Sequence, residues 1–170
     1  MHIRVPYILL LATLAFASSP RPEPDEWNIP EAVSHRAARD LAPTYRLVAH
    51  LNPFYLRADF DGDGRVDYAL LIEQKSSGKV GIAVFFNKRS GRPLQILGAG
   101  KPFNFDSSNG DDFSFMDAWQ VHEIGLVGQG ATKAAPPRLL GDAILVEKKE
   151  AGSGLVYWDG RRFRWYQQGD

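Results

Sequence analysis

Apolar residues recur at helical spacing between Pro30 and Leu41. Val33, Ala37 and Leu41 follow one another at intervals of four, which places them on one face of an α-helix. Pro30 suits the first turn of such a helix, and Pro43 cannot continue it. The pattern therefore predicts one short amphipathic helix.

Downstream of this helix the hydrophobic pattern favours β-strands. Apolar and polar residues alternate over 45–51, and runs rich in β-branched and aromatic residues follow at 54–58, 66–73, 80–87, 94–97 and 143–147. Turn residues such as those at 76–78 separate neighbouring runs, so consecutive strands are expected to form antiparallel hairpins. The predicted fold is α+β: one N-terminal helix packed on a mainly antiparallel, twisted sheet of about six to eight strands.

A C-terminal hairpin is predicted around the dipeptide Asp159-Gly160, which is a strong two-residue turn signal. The expected pairs are Trp158 with Arg161, Val156 with Phe163, and Gly154 with Trp165. These residues share one mostly apolar face, which is expected to meet the core. The opposite face carries Leu155, Tyr157, Arg162 and Arg164. It is expected to be solvated, with binding of an anionic or aromatic partner as the alternative.

The segment 101–142 is the least regular part of the chain, and loops of this length are usually functional or mobile. A hydrolase would draw its metal ligands or acid/base pair from the titratable residues in it, which are Asp106, Asp111, Asp112, Asp117, His122 and Glu123. Their spacing matches no established metal motif. We therefore favour turn-forming acids around an aromatic cluster that plugs the sheet.

The N-terminus has the pattern of a signal peptide over residues 1–17. A basic start precedes about a dozen mostly apolar residues, and the small residues at 15–17 fit a cleavage site. The alternative is an uncleaved membrane anchor. Residues 18–28 are Pro-rich and charged, which predicts a flexible leader. The remaining residues, 29–170, are predicted to form a single domain, located outside the cell or in the periplasm and without a membrane span after cleavage.

Charge and cysteine content narrow the range of functions. Lys and Arg together number 20, as do Asp and Glu, so neither a nucleic-acid-binding stripe nor a polybasic membrane patch is indicated. The chain has no cysteine. This excludes a thiol nucleophile and a disulfide framework.

The sharpest chemical signal is the acidic stretch at 59–67, which reads DFDGDGRVD. Asp59, Asp61, Asp63 and Asp67 bring four carboxylates together, and Gly64 occupies a place where a calcium loop turns sharply. Hard oxygen ligands at alternate positions favour Ca²⁺. The twelfth place of an EF-hand would be Leu70, and a strand follows where an exiting helix is required, so this is not an EF-hand. The alternative is a metal-free turn rich in Asp and Gly.

The pattern D-x-D-G-D-G-x-x-D between two strand-like runs resembles the calcium loops of FG-GAP and integrin-α-type repeats. This resemblance implies that Ca²⁺ is bound by Asp59, Asp61, Asp63, Asp67 and the backbone carbonyl of Arg65. Such repeats build propellers, but the loop occurs once here, which argues against a propeller. The acidic loop and the ending YWDGRRFRWYQQGD are also similar to members of a group of uncharacterised secreted bacterial proteins.

Three functions are compatible with these observations. The leading one is a secreted or periplasmic calcium-binding module in which the cation stabilises a loop between two strands and performs no chemistry, with an unknown protein or glycan partner. The second is a metal-dependent hydrolase that uses acids within 101–125. The third is a structural domain with no metal. The hydrolase requires its acids to meet at one pocket.

Overall fold

A computed structural model describes residues 28–87, 94–105 and 108–169. The signal peptide predicted at 1–17 lies outside these residues, as does the predicted leader apart from residue 28. The secondary structure consists of helix α1 (Glu31–Leu41) and strands β1 (Tyr45–Leu47), β2 (Tyr55–Ala58), β3 (Asp67–Gln74), β4 (Val80–Phe85), β5 (Leu94–Gly98), β6 (Phe103–Phe105), β7 (Ser108–Gly110), β8 (Ala118–His122), β9 (Ala143–Lys148), β10 (Gly152–Trp158) and β11 (Phe163–Gly169).

The protein is mostly β, and the prediction of an α+β fold is wrong. Strands contain 43% of the described residues and the one helix only 8%. The observed fold differs from the expected one in two ways. The segment interpreted as irregular contributes β6, β7 and β8, and the strands divide among three sheets instead of forming one.

The first sheet has the order β1-β3-β4-β5, and all of its pairings are antiparallel. Strand β2 shares one edge of β3 with β1. Strand β1 pairs with the last residues of β3, whereas β2 pairs with its first half, from Leu70 back to Asp67. Strands β3 and β4 therefore have neighbours on both edges, which suits their almost continuous apolar sequence.

Helix α1 covers the outer face of the first sheet. Val33, Ala37 and Leu41 are buried there against the sheet residues Leu70 and Phe85, which confirms the helix and its predicted apolar face. The helix ends at Leu41 because Ala42 precedes a proline and adopts an extended conformation. No helix within the described residues is long and apolar enough to cross a membrane.

The second sheet has the order β11-β10-β9-β8 and packs against the inner face of the first sheet. The core between them includes Leu71 and Ile82 from the first sheet and Ile144 and Val156 from the second. The third sheet is the β6–β7 hairpin. Phenylalanines of this hairpin and of the segment after it pack together, which confirms the predicted aromatic cluster: Phe103, Phe105, Phe113 and Phe115.

The C-terminal hairpin forms with a different register from the predicted one. Trp158 pairs with Phe163 and Val156 with Trp165, because the turn spans residues 159–162 instead of two residues. Asp159 stabilises this longer turn: its Oδ1 atom accepts hydrogen bonds of 2.9 Å from the backbone N–H groups of Arg161 and Arg162. A shift of two residues leaves each side chain on its original face.

The inner face of this hairpin meets the core as expected, since Val156, Phe163 and Trp165 belong to the cluster between the sheets. The expectation that the opposite face is solvated is wrong for its apolar residues. Leu155 and Tyr166 are buried there with Leu139. The segment that precedes β9 folds over these apolar residues and removes them from water, whereas Arg162 and Arg164 on the same face stay exposed.

Candidate metal centre

The acidic stretch connects two paired strands, as the sequence predicted. Strands β2 and β3 are antiparallel, and their last pair is Ala58 with Asp67. The acidic loop, residues 59–66, spans the end of this pair, and Asp67 is the first residue of β3. Three carboxylates converge at this point. Asp59, Asp61 and Asp67 each offer an oxygen atom within 4.8 Å of the others, so together they could hold a metal ion.

Asp59 organises the loop through its side chain. Its Oδ1 atom accepts hydrogen bonds from the N–H groups of Gly62 at 2.8 Å and Asp63 at 3.1 Å, and its Oδ2 atom accepts one from Gly64 at 2.8 Å. A carboxylate has about four acceptor sites. The three hydrogen bonds therefore curl the chain around Asp59 and still leave capacity for a cation.

Asp67 anchors the base of the loop, with only 1% of its surface exposed. Its Oδ1 atom accepts a hydrogen bond of 2.8 Å from Asn87 N–H, and its Oδ2 atom accepts one of 3.1 Å from Phe60 N–H. Burial raises the pKa of Asp67 from 3.8 to about 6, and the charges of Asp61 and Asp63 add to this increase, whereas the two N–H groups oppose it. The negative form of Asp67 is thus less favourable than it would be in water, and a bound cation would stabilise it.

The other three predicted ligands differ in position. Asp61 has a buried Oδ2 atom, and its Oδ1 atom accepts a hydrogen bond of 3.2 Å from Asp63 N–H. Asp63 is exposed and is not part of the three-acid group; its Oδ1 atom accepts a 3.0 Å hydrogen bond from Arg65 N–H. Metal binding by Asp63 and by the Arg65 carbonyl stays a prediction.

Asp142 braces the acidic loop, and the sequence did not single it out. It lies 83 residues from Asp59 in the chain. Its Oδ2 atom accepts a hydrogen bond of 3.2 Å from Asp59 N–H, and its own N–H donates to the Asp59 carbonyl at 2.7 Å. Its Oδ1 atom accepts a 2.8 Å hydrogen bond from Ile124 N–H. The loop is thereby fastened to the segment that covers the second sheet.

Two glycines of the acidic loop allow a matched test of this packing. Gly62 and Gly64 have φ angles of +76° and +80°, so alanine is strained at either position. A Cβ atom at residue 62 would lie 2.1 Å from the Leu140 carbonyl oxygen, whereas at residue 64 it would have space. We expect Gly62→Ala to lower the free energy of unfolding by about 1–3 kcal/mol more than Gly64→Ala. Urea denaturation of both variants measures the difference; equal losses would show that the contact with Leu140 is not tight.

The acids proposed for a hydrolase do not meet in such a group. Within the described ranges only Asp59, Asp61 and Asp67 come together as a potential metal site, and Asp106 lies outside the described residues. Asp111 forms an ion pair with Lys79. Asp112 accepts hydrogen bonds of 2.9 Å from the N–H groups of Val80 and Ser114. These two carboxylates therefore have structural partners.

Asp117 likewise has a structural partner, since its Oδ2 atom accepts a 2.8 Å hydrogen bond from Lys149 N–H. His122 is the last residue of β8, and Glu123 is exposed directly after it. The arrangement that the structure does assemble is the acidic loop at the end of β2 and β3. No protein-family model, curated protein or solved structure matches this chain.

Proposed function

We propose that this protein is an exported calcium-binding domain, secreted or periplasmic, in which the cation fixes the acidic loop and performs no chemistry. The observation that carries the proposal is the convergence of Asp59, Asp61 and Asp67 to within 4.8 Å. The almost complete burial of Asp67 adds to it. The signal-peptide pattern at 1–17 supports the location.

A cation accounts for a loop geometry that is otherwise unfavourable. Two negative charges 4.8 Å apart repel each other by roughly 3–4 kcal/mol at an effective dielectric constant of about 20. The hydrogen bonds to Asp59 and Asp67 offset part of this repulsion. A bound divalent ion would make the net electrostatic energy of the loop favourable, because each of the three carboxylates would then be attracted to a positive charge between them.

The donor set suits a hard cation such as calcium better than softer metals such as zinc or copper. All of the donors are oxygen atoms, which suit hard cations, and the loop contains neither histidine nor cysteine. Asp63 and the Arg65 carbonyl, which the FG-GAP resemblance implies as ligands, would complete the shell. The EF-hand position for a bidentate Glu is occupied by Leu70, so we expect weak binding of about 10⁻⁴–10⁻³ M, the range of extracellular modules.

Isothermal titration calorimetry of the purified protein with CaCl₂ and MgCl₂ tests the proposal directly. We expect one calcium site with a millimolar or submillimolar Kd. Magnesium should bind much more weakly, because it requires a tighter octahedral shell and loses its waters reluctantly. The proposal fails if calcium gives no saturable heat at millimolar concentration, or if magnesium binds as tightly as calcium.

A further inference from the structure

A cleft lies at the open side of the two packed sheets and is lined by residues of strands β5 and β11. Its volume is about 620 Å³, which is within the range of about 300–1,000 Å³ typical of ligand sites. Residues 95–97 of β5 and residues 163–165 of β11 line the cleft. Asn104 and Asn109 of the β6–β7 hairpin also line it.

Both strands border this cleft along three consecutive residues. Side chains alternate between the two faces of a strand, so a run of consecutive lining residues is expected where a strand runs along a cleft edge-on. Strands β5 and β11 are the terminal strands of their sheets, and within the described residues neither pairs with another strand on its outer edge. The cleft is therefore bordered by two terminal strands, and within the described residues neither is hydrogen-bonded to a further strand on its outer side, although β6 lies beside β11.

Positive charge is concentrated at the hairpin end of the cleft. Asp159 is the one acid among the lining residues. Its Oδ2 atom accepts a hydrogen bond of 2.7 Å from Nε of Arg164, so its negative charge is already paired. Arg162 also lines the cleft, is exposed, and makes no ion pair within the part of the chain that the structure describes. This end of the cleft therefore carries a guanidinium without a counter-charge.

From these features we infer that the cleft binds an extended, acidic peptide segment of a partner protein, which adds a strand between β5 and β11. Unpaired strand edges recognise a peptide backbone through main-chain hydrogen bonds. Arg162 supplies a charge-assisted contact for an Asp, a Glu or a terminal carboxylate. The aromatic rings of Phe163 and Trp165 are almost fully buried, with 5% and 8% exposure, so strand edges and polar side chains provide the accessible contacts. Peptide binding at this cleft does not require a metal in the acidic loop.

Panning a phage-displayed library of random linear dodecapeptides on the purified protein tests the inference. Enriched peptides should carry at least one acidic residue. Their synthetic versions should bind in fluorescence polarisation assays. Hydrogen exchange measured by mass spectrometry should then show that the peptide protects the backbone amides of β5 and β11.

Two matched comparisons separate strand addition from other modes of binding. Arg162→Glu should weaken the peptide by about tenfold or more, the loss of one charge-assisted hydrogen bond. Arg161→Glu is the control, since Arg161 is the neighbouring residue and does not line the cleft; it should have little effect. N-methylation of two alternate peptide amides should also abolish binding, because it removes main-chain donors.

Several outcomes would overturn the inference. They are the absence of any enriched peptide, peptide binding that tolerates both Arg162→Glu and N-methylation, and protection confined to segments away from β5 and β11. Binding of an acidic glycan array in place of peptides would also overturn it and would assign the cleft to carbohydrate.

Discussion

Calcium at about 10 mM is expected to raise the melting temperature of the protein by about 3–10 °C relative to the protein with chelator. A ligand with a Kd of about 10⁻⁴–10⁻³ M that binds only the folded state contributes roughly 1.4–2.7 kcal/mol at this concentration. Each kcal/mol corresponds to about 2–4 °C for a domain of this size. Differential scanning calorimetry with calcium, with magnesium and with chelator measures the shift, and magnesium should give a much smaller one.

Asp61→Asn should abolish the calcium shift. The substitution removes one of the three converging charges, so the chelated variant should be as stable as the chelated wild type or slightly more stable. Asp111→Asn provides the control: it removes one negative charge from a partly exposed ion pair outside the acidic loop and should keep the full shift. A calcium shift that survives Asp61→Asn would place the site elsewhere.

The calcium shift is also expected to depend on pH. In the chelated protein, burial raises the pKa of Asp67 to about 6, above the value of 3.8 for the unfolded chain. The contribution of this group to stability is therefore fully present below pH 3.8 and is lost as the pH rises through about 6. Below about pH 6, calcium must displace the proton bound to the Asp67 carboxylate in order to bind. Melting curves at pH 7.5 and pH 5 should show a smaller calcium shift at pH 5; an unchanged shift would exclude Asp67 as a ligand.

Trp165→Ala is expected to lower the free energy of unfolding by about 3–5 kcal/mol, the usual cost of deleting a large buried side chain. Trp165 has 8% exposure and belongs to the core between the sheets. Its ring lies against Gly154, where an added Cβ would approach the ring to 2.0 Å. Its centroid is 5.3 Å from that of Phe105. Urea denaturation followed by circular dichroism measures the loss.

The control for this experiment is Arg162→Ala in the same hairpin. Arg162 is exposed, and surface substitutions of this kind usually change stability by about 0.5 kcal/mol or less. Small and equal losses for both variants would show that the inner face of the hairpin is not part of the core.

The helix and the main strands could be predicted because their signals are local. Val33, Ala37 and Leu41 fall on one face through the helical repeat alone, and all three are buried. The apolar run in β3 indicated a central strand, and β3 has partners on both edges. In the same way, the strand-like runs on both sides placed the acidic loop between two strands. These features depend on neighbours within a few residues of one another.

The hairpin register shows where a local signal was insufficient. Asp159-Gly160 predicts a two-residue turn, but the carboxylate of Asp159 accepts hydrogen bonds from the two residues after Gly160 and extends the turn to four residues. The apolar face survived this error because side chains alternate with a period of two. The pairing did not, because it depends on the geometry of the turn.

The amino-acid sequence by itself therefore determined the helix, the main strands outside 101–142, the apolar face of the hairpin and the convergence of three of the four aspartates in the 59–67 stretch. Only the tertiary structure decided that the strands form three sheets, that Asp142 braces the acidic loop from 83 residues away, and that β5 and β11 border one cleft. The periodicity of a strand records which side chains are buried, but not which sheet buries them. Those outcomes depend on contacts between segments that are far apart in the chain, and such contacts leave no local pattern.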